Sequence, residues 1–494
     1  MIQFRSESRL HGRARNNFFN LAARLLGAGG RFFREWIFME QNTKPLFNRK
    51  YLNRLIWPLI AEQFLAMTIG ACDTVMVSSI GEAGVSGVSL VDQLGQLVLQ
   101  LFAAFATGGA VVASQYLGNK DNAAAGKSAK QLLNLCLAFG LLFIAVCFPL
   151  RRQILTLIFG GADEKVMENA LSYFVWILFS FPMLGIYNSC AALFRSMGNS
   201  KISLKTSLLM NLLNIGGNAA LIYGAKLGVA GAGISTLVSR TVAAFVVLGL
   251  LSQKKWPVHF EKLWKIEVDF SLIKKILKVA IPSGIENSMF HIGKTLVYSF
   301  MSGFGLVAIA ANAISNTIAS FSNIPGNAIG LASVTIVGQC IGAGEKKQAK
   351  TYGFKMMRVA YIGMFAACCA VFIASPLVVS LFNLSGEAQK LAVGVVRSCM
   401  VANIFIWPLS FVMPNILRGA GDAKYTMIVS NISMWLFRVL FSWAISSYLL
   451  KKFPDNTGIA LYGVWFGMYI DWLFRAVFFG ARFHGKRWLE KKVI

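Results

Sequence analysis

Apolar stretches of membrane-spanning length recur along most of the chain. Residues 132–150 and 356–381 are almost continuously apolar. At 1.5 Å per residue, about 20 such residues cross a hydrocarbon core of ~30 Å. The recurrence excludes a soluble body with a single anchor. Composition agrees: 14% of the 494 residues are charged, against ~25% in soluble proteins. A lipid-exposed backbone must satisfy its hydrogen bonds internally, which leaves helices or a closed barrel. Barrel strands alternate apolar and polar residues over ~10 positions, and these runs do not. The expectation is an all-α membrane protein of about twelve transmembrane helices. They fall near 55–77, 90–114, 131–150, 168–193, 202–223, 229–252, 272–301, 309–338, 352–381, 391–416, 425–449 and 459–481.

The net charge is +27, and its distribution explains it. With both termini cytoplasmic, 37 of the 48 Lys and Arg lie on that side and 8 on the other. Arg240, Lys294 and Arg438 fall inside helices. This is the positive-inside bias, so the expected location is the inner (plasma) membrane, multi-pass, and nucleic acid is not an expected partner. The eight cysteines lie mostly in apolar segments, without zinc-ligand spacing, and read as small hydrophobes. Residues 1–50 form a basic N-terminal extension with eight Arg, seven of them before Met39 among paired Phe and Leu. Two readings stay open: an amphipathic segment on the anionic leaflet, or a tail upstream of a start at Met39.

Four echoes in chain order divide the sequence into halves. Pro58-Leu-Ile-Ala-Glu62 returns as Pro282-Ser-Gly-Ile-Glu286, and Gln115-Tyr-Leu-Gly118 as Gln339-Cys-Ile-Gly342. Arg195-Ser-Met-Gly198-Asn-Ser-Lys201 returns as Arg418-Gly-Ala-Gly421-Asp-Ala-Lys424. The segment 228–233 with Arg240 matches 463–467 with Arg475. An even helix count per half gives both halves the same orientation, as in parallel repeats. The expected organisation is an N-lobe at 51–252, a cytoplasmic linker at 253–271, a C-lobe at 272–485 and a basic tail at 486–494. In the repeated turns, Gly ends one helix and Asn199 or Asp422 can cap the next. Arg195, Lys201, Arg418 and Lys424 then either face headgroups or serve as gating contacts between lobes.

Asp73-Thr-Val-Met-Val on the first helix, Gln115-Tyr-Leu-Gly118, the two Arg-x-x-Gly turns and 228–233 together resemble the MATE (multidrug and toxic compound extrusion) transporters. The resemblance covers roughly residues 50–485. It implies two six-helix bundles forming a V around a central cavity. It also implies export of organic cations or amphiphilic drugs in exchange for sodium ions or protons.

Ionisable residues at bilayer depth are costly and are functional candidates. Asp73 lies well inside the first apolar stretch, with no basic residue one turn away. The resemblance implies a cation site of a first-helix carboxylate, two polar residues four apart on the fifth helix and a sixth-helix threonine. Here these read Asp73, Asn214, Asn218 and Thr236, with Asp73 and Asn214 as sodium ligands if sodium is the ion. Relatives often carry Asp where this chain has Asn218, which leaves one carboxylate in the set. The alternative is that the asparagines only hydrogen-bond between helices. In the C-lobe, Glu286, Lys294 and Asp471 are candidates for coupling or substrate contact, with pairing of Asp471 to Arg475 as the structural alternative. The repeat offset takes Asp73 to Val297 and Thr236 to Asp471. No nucleotide-binding or catalytic motif is evident, so neither enzyme activity nor a cofactor is expected. A monomer exporting a small amphiphile is the expectation, and a flippase of lipid-linked saccharides is the alternative.

Overall fold

A computed structural model describes residues 45–260, 267–382, 384–454 and 458–494. Nearly all of the N-terminal extension therefore lies outside the described residues. The regular structure among the described residues is helical throughout. The first half holds α1 (Arg49–Ser78), α2 (Glu82–Gly118), α3 (Asn122–Cys147), α4 (Glu164–Ser196), α5 (Ser200–Asn218) and α6 (Gly228–Leu251). The second half begins with α7 (Phe270–Met301), α8 (Leu306–Ser322 and Ile324–Gly342) and α9 (Lys346–Ser380). It ends with α10 (Gly386–Phe405 and Pro408–Gly419), α11 (Ala423–Lys452) and α12 (Gly458–His484). A short helix, Arg151–Phe159, precedes α4.

Two departures from the expected boundaries have local causes. α2 starts at Glu82 rather than near 90. Gly81, at φ +98°, ends the turn from α1, and Glu82 then suits the positive end of the helix. α8 breaks at Asn323 and α10 bends by 62° before Pro408. Pro325 and Pro408 have no N–H to continue the helical bonding.

Among the described residues eight helices are long and apolar enough to cross a membrane, or nine with the bent α10. The spans that fall short are α5, α7 and α12. They carry Asn211, Asn214 and Asn218; Glu286, His291 and Lys294; and Asp471 and Arg475. They are too polar to face lipid all round, so they must turn those residues toward protein or water.

Two apolar cores form, one for each half, and the first helix of each half leans across the boundary. Leu52, Leu55, Ile56 and Leu59 of α1 pack into the C-lobe core. Leu272, Ile276, Val279 and Ala280 of α7 pack into the N-lobe core. Residues preceding α1 are held the same way: Tyr352 on α9 accepts from the Phe47 N–H and donates to its carbonyl, both at 2.8 Å.

The lobes close on each other at the end of the bundle that carries the Arg-x-x-Gly turns. Gly118 abuts the backbone of Gln339, and Gly342 abuts that of Gln115, so closely that a Cβ at either would overlap a carbonyl. This is the apex of a V of two six-helix bundles around a central cavity. Gly198 and Gly421 hold φ of +77° and +101°, conformations that favour glycine. The expected caps do not form: Asn199 and Asp422 make no side-chain cap bond. Asp422 instead accepts from Arg482 Nε at 2.7 Å.

Candidate functional site: the intramembrane charges

The repeated Glu and the repeated Arg turn out to be one unit. Glu62 on α1 lies 3.8 Å from Arg195 Nη1, and Ser203 Oγ is 2.8 Å from both its carboxylate oxygens. In the second half Glu286 on α7 meets Arg418 Nη2 at 2.6 Å. It also accepts from Thr426 at 3.2 Å and Ser430 at 2.7 Å. Both carboxylates are buried. The Arg side chains of the turns thus point into their own lobes, while Lys201 and Lys424 are exposed. It is the turn backbone that crosses between lobes: Arg195 O accepts from Thr335 Oγ1 at 3.2 Å, and Ser196 O from Gln339 Nε2 at 2.6 Å.

The expected N-lobe cluster assembles as two neighbouring pairs. Asn218 Nδ2 donates to Asp73 Oδ1, and Asn214 Nδ2 donates to Thr236 Oγ1 at 3.2 Å. Asn214 and Asn218 are one turn apart, which puts them on one face of α5. Immediately beyond Asn218 the helix widens into a π turn, Ala219–Gly224, a feature frequent at functional sites. Asn218 is fully buried, and its Oδ1 has no hydrogen-bond partner. A buried unpartnered amide oxygen costs ~1–3 kcal/mol and is an open position for a cation or a donor.

Sequence reading missed Asp92. Its helix was expected to begin near 90, which would place Asp92 at the membrane boundary; with α2 starting at Glu82 it lies three turns in. Tyr173 OH donates to Asp92 Oδ1 at 3.4 Å. Arg240 on α6, bonded to Ser180 Oγ at 2.7 Å, senses the charges of both Asp92 and Asp73. Asp92 is exposed on the protein surface. An acid open at that depth is tolerable facing the water of a cavity, not lipid.

In the C-lobe, Asp471 is fully buried. Its Oδ1 accepts from Arg475 Nε at 2.8 Å and Ser433 Oγ at 2.6 Å, and its Oδ2 from Arg438 Nε at 3.0 Å. The pairing with Arg475 left open from sequence is present, and Arg438 adds a second guanidinium. Lys294 joins neither Glu286 nor Asp471; its ammonium sits over the Tyr298 ring at 5.7 Å.

The two-fold repetition of these elements has a counterpart among known proteins. The MatE family model matches residues 58–220 and again 282–444. The chain belongs to the MatE family. Both matches begin at a repeat proline, Pro58 and Pro282, 224 residues apart. The uncharacterized transporter YisQ of Bacillus subtilis is 26% identical over 459 residues, covering 91% of this chain and 97% of the relative. A probable multidrug resistance protein, NorM of Thermotoga maritima, is 25% identical over 451 residues, covering 90% and 94%. Among solved structures, a MATE protein in the straight conformation superposes with a TM-score of 0.81 at 20% identity, covering 90% of this chain and 97% of that one. An outward-facing multidrug resistance MATE transporter of the MOP superfamily gives 0.80 at 21%, with the same coverage. These likenesses establish the two-lobed fold of this MatE chain.

Proposed function

We propose that this MatE protein is a secondary active exporter of small amphiphilic molecules, working by alternating access and coupled to sodium or proton uptake at Asp73. The observation that carries the reading is an asymmetry among the intramembrane acids. Glu62, Glu286 and Asp471 each have an arginine within 4 Å. Among the described residues, Asp73 and Asp92 have no basic nitrogen at that distance and share the more remote Arg240. An acid already neutralised by an arginine gains little from an arriving cation, whereas Asp73 can take one.

The donor set suits that task. The Asp73 carboxylate, the orphaned Asn218 Oδ1, the Asn214 amide oxygen and Thr236 Oγ1 are hard oxygens of the kind sodium accepts. After a half-turn of the Asn218 amide, the Asp73–Asn218 pair could instead share a carboxyl proton. Either event removes the charge of Asp73 from its balance with Arg240 and Asp92, and so differs in free energy between a wet and a closed cavity. A coupling ion needs that differential interaction to shift the lobes between states.

The basic bias supports a topology with the apex of the V and both termini on the cytoplasmic side of the plasma membrane. With that topology the arrangement is closed toward the cytoplasm, and one solved relative is described as outward-facing. The names of the relatives, probable multidrug resistance proteins among them, support amphiphilic drugs as cargo. The test is dye efflux from proteoliposomes under separately imposed sodium and proton gradients. One gradient should drive efflux and Asp73→Asn should abolish it; efflux indifferent to both gradients, or undiminished in the variant, overturns the reading.

A further inference from the structure

We propose that the C-lobe carries a binding site for an anionic group, held by Lys294 and Arg438, so that favoured cargo bears a carboxylate or phosphate on its apolar body. This rests on the transport reading above and narrows its substrate class.

A small cavity of about 50 Å³ lies between α7, α8, α11 and α12, lined among others by Lys294, Tyr298, Asn312, Asn316, Arg438 and Trp465. That volume admits a carboxylate or phosphate head. It does not admit a whole drug, which needs ~300–1,000 Å³. Arg438 is more than nine-tenths buried. Its Nε is committed to Asp471 and its guanidinium stacks over Phe290 at 4.8 Å, yet its Nη2 has no hydrogen-bond partner. Lys294, the second cation in the wall, has no carboxylate among the described residues within salt-bridge distance.

The local charge does not balance. Glu286 and Arg418 cancel, and Asp471 stands against Arg438, Arg475 and Lys294. Both oxygens of Asp471 are already occupied. One carbonyl of the wall is likewise taken: Asn312 Oδ1 accepts from Trp465 Nε1 at 3.1 Å and Asn316 Nδ2 at 3.0 Å. The cavity wall thus holds two cations, Lys294 without a carboxylate partner and Arg438 with one guanidinium nitrogen unsatisfied. Uncompensated positive charge at this depth is costly, and an anionic ligand removes that cost through two charge-assisted hydrogen bonds.

The repeat makes the contrast explicit. The 224-residue offset of the first helices takes Asp73 to Val297, which lines this cavity. Where the N-lobe offers a carboxylate and amide oxygens, the C-lobe offers cations. A zwitterionic amphiphile would therefore find a complementary charge in each lobe.

The experiment uses the full chain purified in detergent and two rhodamines that differ only in a free carboxylate or its ethyl ester. Binding is followed by dye anisotropy. Wild type should bind the carboxylate form about tenfold more tightly than the ester, and Lys294→Gln should remove that preference. Lys294→Arg should retain it. Lys294 makes no ion pair among the described residues, so its replacement should fold; the wild-type dye pair tests the proposal even if it does not. Competition by inorganic phosphate would assign the site to any free oxyanion. Dye discrimination without phosphate competition would assign it to an anion carried on an apolar body. Equal wild-type affinities for the two dyes, or a carboxylate preference that survives Lys294→Gln, overturns the proposal. Binding in detergent needs no ion gradient, so failure of gradient-driven efflux would remove the transport reading without touching this result.

Discussion

Gln115 donates its Nε2 proton to the carbonyl of Gly419 across the boundary between the lobes, at 3.2 Å. The repeat supplies the reciprocal bond, Gln339 Nε2 to Ser196 O at 2.6 Å. Both must break whenever the lobes part at this end. Each contributes ~0.5–1.5 kcal/mol net, so the pair closes the apex without locking it.

Gly118 and Gly342 make those bonds possible by letting α2 and α8 touch. Gly118→Ala or Gly342→Ala puts a Cβ into the facing carbonyl, an overlap that costs ~1–3 kcal/mol where the backbone cannot yield. The expected outcome is a shift toward lobes parted at the apex. Spin labels on Lys201 and Lys424 would report it as a longer distance population. An unchanged distribution with unchanged thermal stability would contradict it.

The C-terminal tail straps the same seam. Val493 N donates to Gln115 Oε1 at 2.9 Å, and Lys492 Nζ to Gly342 O at 3.3 Å. Trp488 anchors the tail, fully buried and bonded to Phe483 O at 2.8 Å. Ending the chain after Lys491 removes both contacts and leaves the anchor. Cysteine labelling at positions facing the apex should become faster, while far-UV circular dichroism stays the same.

The two Glu–Arg units differ in closeness, 2.6 Å for Glu286–Arg418 against 3.8 Å for Glu62–Arg195. Removing one partner of a buried pair costs ~3–5 kcal/mol. Glu286→Gln should therefore lower the melting temperature in detergent more than Glu62→Gln. Equal or reversed shifts would show that the closer geometry does not set the strength.

Asp92 shares Arg240 with Asp73. Asp92→Asn leaves Asp73 as the sole acid near that arginine. In proteoliposomes gradient-driven efflux should be slower than in wild type, with Asp73→Asn inactive. An unchanged rate would separate Asp92 from the coupling site.

Much of the architecture was legible in the chain because it depends on local, additive properties. Apolar run length set the spans, and the Pro-x-x-x-Glu and Arg-x-x-Gly echoes set the repeat. The Asn214–Asn218 spacing placed both on one face. Asp92 was lost because a helix boundary is decided by one glycine, Gly81, rather than by hydropathy. The cap at Asp422 failed because a tertiary partner, Arg482, outcompeted a local bond.

The sequence by itself determined that this is a two-fold repeated helical membrane protein with a polar cargo that differs between halves. Only the tertiary structure decided which charges are neutralised. Pairing depends on a few ångströms between residues 33 to 145 positions apart: Glu286 with Arg418, Asp471 with Arg438, Asp73 with Asn218. No spacing rule reaches that far. The same folding left Asn218 Oδ1 in one lobe and Arg438 Nη2 in the other without partners. Those two unsatisfied atoms are where a cation and an anion would be received.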